Sequence, residues 1–189
     1  MLYGIGINDA GYKVATKVNG KQKTCPIYAL WRTVLERCYN ERFQKNNTKY
    51  IGCSVAKEWH TFSVFRSWVL KQDKGPGDRL NKDLLVQGNK VYSPETCLFV
   101  SSRIHSFTAT RSTTRTETPV GVKWIEDSGK FRAICYDGVS TNKYLGMYDT
   151  ADEAHEAYKA YKYALVKDIA AKQPKRIRAA LLAYKIEKY

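Results

Sequence analysis

The chain has 189 residues, and its 32 Lys and Arg outnumber 18 Asp and Glu, leaving a formal charge of +14. Its 43% hydrophobic and 13% aromatic content is enough for packed cores, which excludes wholesale disorder, and the length suits one domain or two small ones. No apolar run approaches the roughly 18 residues of a membrane span. Met1-Leu2-Tyr3-Gly4 lacks the basic and apolar regions of a signal peptide. The five cysteines are scattered, with no C-x-x-C pair, so neither a disulfide framework nor a zinc ribbon is indicated. These features read as a soluble, reduced, intracellular protein.

A positive excess of this size favours nucleic acid or an anionic membrane surface as partner. No basic amphipathic helix with a strong apolar face is present, which argues against the membrane. The charge is uneven: residues 1–50 carry +6, 51–116 carry +5, 117–166 carry −2 and 167–189 carry +5.

In chain order, Tyr3–Ile7 alternates like a short strand, and residues 10–24 read as a polar hairpin around Asn19-Gly20. Ile27, Leu30, Trp31, Val34, Leu35 and Cys38 follow helical spacing, with Pro26 at the helix start, where its missing N–H costs little. Residues 40–50 read as a polar loop, and Trp59, Phe62, Phe65, Trp68 and Val69 as a second, core-packing helix. Lys74-Gly75-Pro76-Gly77-Asp78 breaks the chain. Leu80–Val86, a turn at Gln87–Lys90, Val91–Val100 and Ser101–Phe107 then read as strand, loop, strand, helix.

Residues 108–118 are polar and Thr-rich, the best linker in the chain. Val120–Ile125, Lys130–Tyr136 and Lys143–Tyr148 read as three short strands. Thr150 to Glu153 matches a capping box that opens a helix with Ala154, Ala157, Tyr158, Tyr161, Ala164 and Leu165 on one face. A further helical segment, interrupted at Pro174, runs toward Tyr189. The expected division is 1–107, linker 108–118, 119–166 and a basic helical tail 167–189.

A strand–loop–strand–helix of about thirty residues can hold one divalent ion against a scissile phosphate, where it stabilises the leaving oxyanion while a nearby base activates water. Asn81, Lys82 and Asp83 on the first strand, Asn89 in the turn and His105 on the helix have the chemistry for such a site. The runs Leu80–Asp83 and Gly88–Val100, the latter reading GNKVYSPETCLFV, resemble HNH endonucleases of the phage homing type. Trp31, Arg37-Cys38-Tyr39, Gly52–Val55 and Glu58–Phe65 are also similar to the segment that precedes the finger there. The resemblance implies a ββα-metal finger on a helical support. It implies Asn81, Asp83 and His105 as ligands of Mg²⁺ or Mn²⁺, Lys82 as the group activating water or touching phosphate, and Asn89 as the residue that fixes the loop. Asn81 stands where the family has a metal-binding Asp, and Lys82 where its better-known members have a general-base His. Asn is the poorer ligand for a hard cation. Cys38, Cys53 and Cys97 read as small buried residues rather than zinc ligands.

A three-stranded sheet backed by one helix can lay its open face in the DNA major groove. Residues 119–166 offer Lys123, Trp124, Lys130, Arg132, Tyr136, Asn142, Lys143 and Tyr144 for phosphates and bases, while Asp149, Asp152, Glu153 and Glu156 gather near the helix start. Pro119–Trp124, Gly129–Ala133 and Tyr144–Ala154 resemble the APETALA-type (ethylene-response-factor) DNA-binding domain, and this implies Lys123, Arg132, Tyr136, Asn142 and Tyr144 as the DNA-facing set.

The expected class is α+β: an HNH-like finger followed by a small three-stranded antiparallel sheet packed on a helix. The expected function is a phage-type endonuclease that binds duplex DNA and hydrolyses phosphodiester bonds. The alternatives are a catalytically degenerate DNA-binding protein with a regulatory or anti-host-defence role, and a protein that engages a host protein partner.

Overall fold

The computed structural model describes residues 1–108, 118–138 and 142–188. The expected linker falls almost wholly outside the described residues. The chain mixes helix and strand, as expected for an α+β protein, and divides into two compact units. One comprises Met1–Gly75 with Leu80–Phe99, the other Pro76–Arg79 with Val100–Tyr189.

The first unit opens without the expected strand. Leu2 pairs only with Gly6 and Ile7 only with Thr61, because Tyr3 and Gly4 turn the chain through positive φ. The hairpin follows as β1 (Ala15–Val18) and β2 (Lys21–Thr24). Asn19 and Gly20, at φ 51° and 75°, supply the two left-handed residues that a two-residue turn of this hand requires. Helix α1 (Pro26–Tyr39) starts on its proline and buries Trp31, Val34, Leu35 and Cys38, one stripe of its apolar spacing.

Residues 40–50 are not a plain loop. Asn40 accepts a hydrogen bond from the Phe43 N–H and starts α2 (Glu41–Lys45), and a single helical turn follows at Thr48–Tyr50. Gln44 Nε2 donates to the carbonyls of Arg37, Cys38 and Tyr50, and these polar tethers were not visible as periodicity. After β3 (Ser54–Val55), helix α3 (Phe62–Leu70) buries Phe62, Phe65 and Val69. Trp31 and Trp59 lie fully buried at the centre of this aromatic core.

Strand β4 is shorter than expected, Arg79–Asn81, and pairs with β6 (Leu98–Val100). Between them β5 (Val91–Tyr92) pairs in parallel with β3, Ser54 opposite Val91 and Val55 opposite Tyr92.

The second unit begins a few residues earlier than the sequence division places it. Helix α4 (Ser102–Thr108) belongs to it: the Lys162 ammonium lies 4.6 Å from the Phe107 ring centroid and Arg103 Nη2 donates to the Asp137 carbonyl at 3.4 Å. Strands β7 (Val122–Ile125), β8 (Lys130–Tyr136) and β9 (Asn142–Tyr148) form the expected antiparallel meander in the order 7-8-9. Helix α5 (Ala151–Ala171) opens on the expected capping box, with Thr150 and Glu153 exchanging side-chain and backbone hydrogen bonds.

Two expectations about this region need correction. Ala164 is exposed; the lower half of α5 instead buries Val166, Ile169 and Ala170, because α6 (Lys175–Ala183) packs there with its buried Leu181. Residues 167–188 are therefore no separate tail. The chain beyond α6 returns to the sheet, where the Val120 N–H donates to the Lys188 carbonyl at 2.8 Å.

Candidate DNA interface and candidate metal finger

The register of the sheet decides which side chains share a face. Val122, Phe131, Ala133 and Tyr148 pack with Ala154 of α5, so they mark the helix side. Residues directly opposite one another share a face. Lys123, Arg132 and Met147 are opposite one another on the other side, as are Ile125 with Lys130, Ile134 with Tyr144, and Tyr136 with Asn142.

Of the eight expected DNA-facing residues, Lys123, Lys130, Arg132, Tyr136, Asn142 and Tyr144 thus occupy one open face. Trp124 and Lys143 do not. Trp124 is opposite Phe131, 4.7 Å between ring centroids, and Lys143 is opposite buried Cys135. Their place on the helix side corrects the expectation for these two. Ile134 and Met147 join the open face, which the alternation of Lys130, Arg132, Ile134 and Tyr136 along β8 already signals.

A bulge makes this face. Ala133 is opposite Gly146, but Ile134 is opposite Tyr144, so Leu145 is an extra residue in β9. Were Leu145 paired with Ile134 instead of bulged out, the period of two would send Tyr144 and Asn142 to the helix side. With it Tyr144 stands 56% exposed on the open side.

Charges on this face differ in freedom. Lys130 is paired with Asp149 at 3.0 Å, whereas no carboxylate among the described residues lies within ion-pair distance of Lys123 or Arg132. Arg132 Nε is buried with no hydrogen-bond acceptor among the described residues. The carboxylates Asp152, Glu153 and Glu156 sit in the first two turns of α5, on the element behind the sheet.

In the first unit, four of the five residues expected of a finger, Asn81, Lys82, Asp83 and Asn89, meet in the loop at the end of β4. Asn81 is buried, and its Oδ1 accepts from the backbone N–H groups of Asp83 (2.9 Å) and Leu84 (2.8 Å). This is why the strand stops at Asn81: the side chain captures the donors that would have continued the ladder. Asn89 closes the same loop from its other end. Its Nδ2 donates to the carbonyls of Lys82 (2.8 Å) and Val91 (2.6 Å), and its Oδ1 accepts from the Val91 N–H at 3.0 Å.

Lys82 is only 7% exposed. Its Nζ donates to Asp83 Oδ1 and to the Asn89 carbonyl, both at 2.5 Å, and lies 5.8 Å from the Tyr92 ring centroid. Asp83 is 45% exposed, so a buried ammonium supports a carboxylate at the surface. The Ser93-Pro94-Glu95-Thr96 string that follows is a turn. Ser93 Oγ meets the Thr96 N–H, Thr96 Oγ1 donates to Val91 O, and the Cys97 N–H donates to Ser93 O.

Beneath the loop lie residues that the motif reading did not place there. Arg37 is hydrogen-bonded to Tyr92, whose phenol is pushed up by burial, and Arg37 lies over the Tyr50 ring at 5.2 Å. Burial pushes the Cys38 and Cys97 thiols up to about 12, so both are protonated at neutral pH. Among the described residues no group of three or more His, Cys, Asp and Glu is placed to hold a metal ion. His105 is half-buried on α4, in the second unit. The other two histidines have structural partners: His60 Nε2 is 2.9 Å from Val55 O, and His155 Nδ1 is 2.9 Å from Val120 O.

Tested against a divalent ion, this loop fits in part. Asp83 offers the exposed carboxylate a hard cation prefers. Asn81 does not offer its oxygen, which already accepts two backbone donors. No protein-family model, curated protein or solved structure matches the chain.

The loop's rigidity is open to test. Asn89→Ala removes three hydrogen bonds and leaves the Lys82 carbonyl without its donor, an expected cost of about 1–3 kcal/mol. Thermal denaturation would register the loss, and faster hydrogen exchange at the Val91 amide would localise it.

Proposed function

We propose that the chain binds duplex DNA through the open face of β7–β9 and acts on that DNA as an endonuclease of the phage HNH type. The observation that carries the binding half is the segregation of Lys123, Arg132, Tyr136, Asn142 and Tyr144 onto one face, with Asp152, Glu153 and Glu156 on the helix behind it. Cations position such a face on phosphates, and planar or polar groups read base edges.

The loop Asn81–Val91 is the cleaving part in this reading. The exposed Asp83 carboxylate would hold Mg²⁺ or Mn²⁺, which when bound would supply stabilisation of the leaving oxyanion. Lys82 holds the Asp83 carboxylate in place, and Asn81 and Asn89 hold the loop in shape. A second reading, binding without cleavage, is favoured by one feature: the Asn81 oxygen is spent on the loop's own backbone.

Two measurements separate these readings. Duplex affinity should fall at least tenfold in a Lys123→Ala/Arg132→Ala double variant, with the salt slope becoming shallower by about 1–2. Wild-type protein should nick supercoiled plasmid with Mg²⁺ or Mn²⁺, and Asp83→Ala should abolish nicking while binding persists. Binding with no cleavage under any divalent ion establishes the second reading; no salt-dependent duplex binding overturns both.

A further inference from the structure

We infer that the β1–β2 ribbon of the first unit is a second DNA-contacting element, which enters a groove of the duplex with its lysines on the flanking phosphates. This inference rests on the DNA-binding reading above but uses none of the residues that carry it.

The ribbon does no packing work beyond its root. Thr16 to Lys23 is exposed without a break, so neither face of the hairpin is covered. A two-stranded hairpin with no buried face is marginal in water. This one is held at its base, where the Cys25 N–H donates to Val14 O at 2.7 Å and Val14 packs on the aromatic core. The tight Asn19-Gly20 turn fixes its far end.

Its charge has one sign. Lys13, Lys17, Lys21 and Lys23 fall within residues 10–24, which contain no Asp or Glu. No carboxylate among the described residues lies within ion-pair distance of any of the four. The register distributes the cations. Thr16 opposite Lys23 and Val18 opposite Lys21 share one face; Lys17 opposite Gln22 lies on the other. A ribbon so charged meets a partner that is anionic on both sides of it, as a groove is between its two phosphate backbones. The breadth agrees: two strands lie about 5 Å apart, and the major groove, about 12 Å wide, admits a two-stranded ribbon.

The test is a salt titration of duplex binding with the full chain. Lys17→Ala/Lys21→Ala/Lys23→Ala should flatten the plot of log K against log salt by about 2–3, with about a 100-fold affinity loss near 0.1 M that vanishes toward 1 M. The triple Lys→Arg variant keeps the charge and should bind as wild type. Since the three side chains are exposed, thermal midpoints should be unchanged, which separates lost contact from lost fold. An unchanged salt slope in the folded alanine variant overturns the ribbon while leaving the sheet reading intact. Absence of duplex binding in the wild type overturns both.

Discussion

Gly121→Ala is expected to lower the melting temperature of the C-terminal unit by 10 °C or more. Gly121 has φ +82°, in the left-handed region, where a Cβ costs about 1–2 kcal/mol. That Cβ would lie 2.1 Å from Tyr158 Cδ2 and 2.4 Å from Cγ. The ring has nowhere to go: His155 stacks on it at 5.9 Å, and its hydroxyl accepts from Lys162 Nζ at 3.0 Å. Overpacking of this kind costs about 1–3 kcal/mol. Together the two effects reach about 2–5 kcal/mol, and each kcal/mol is about 4–8 °C for a unit of this size. Circular dichroism melting, with Trp124 fluorescence as the local probe, would measure it. A shift under about 4 °C would mean that β7 and α5 are packed more loosely than described. Because Gly121 O also accepts the Ile134 N–H, the open face should lose order and DNA affinity in step.

The second large effect is expected in the N-terminal unit. Trp31 is fully buried, packs against Tyr28 and Phe62 at centroid distances of 5.6 and 5.5 Å, and donates its Nε1–H to the Trp59 carbonyl at 2.7 Å. Trp31→Ala removes the ring, at about 3–5 kcal/mol, and strands a buried carbonyl, at about 1–3 kcal/mol more. That total rivals the whole stability of a small domain, so the unit should unfold or melt near ambient temperature. Trp31→Phe keeps most of the apolar contact and loses only the donor, so it should cost far less. Equal losses in the two variants, read by urea titration, would place the importance of Trp31 in its hydrogen bond rather than in its bulk.

Local chemistry was the legible part of this fold. Asn19-Gly20 announces a left-handed turn, Pro26 a helix start, and Thr150 with Glu153 a capping box, because each acts through neighbours three residues away at most. What sequence reading missed depends on long-range or side-chain contacts. Leu84-Leu85-Val86 carry strand-like apolar letters, yet Asn81 Oδ1 draws in the amides of Asp83 and Leu84 and diverts the chain. The C-terminal segment reads as a basic tail, yet Leu181 is buried and Lys188 reaches Val120. At the finger, the letters single out Asn89 as the residue that fixes the loop but read Asn81 as a metal ligand, whereas its oxygen is spent on the loop's own backbone. Arg37 and Tyr92, more than fifty positions apart, meet under the loop only through tertiary packing.

The Leu145 bulge sets a constraint that no substitution table captures. The strand carries one residue more than its partner, and because the bulge leaves Leu145 unpaired, Tyr144 stays opposite Ile134 and Asn142 opposite Tyr136 on the open side. Deleting Leu145 would leave this pairing intact, whereas deleting Lys143 would bring Asn142 opposite Cys135 and turn it to the helix side. In this strand length itself is information, and homologous chains are best compared by the phase of their spacing as well as by identity.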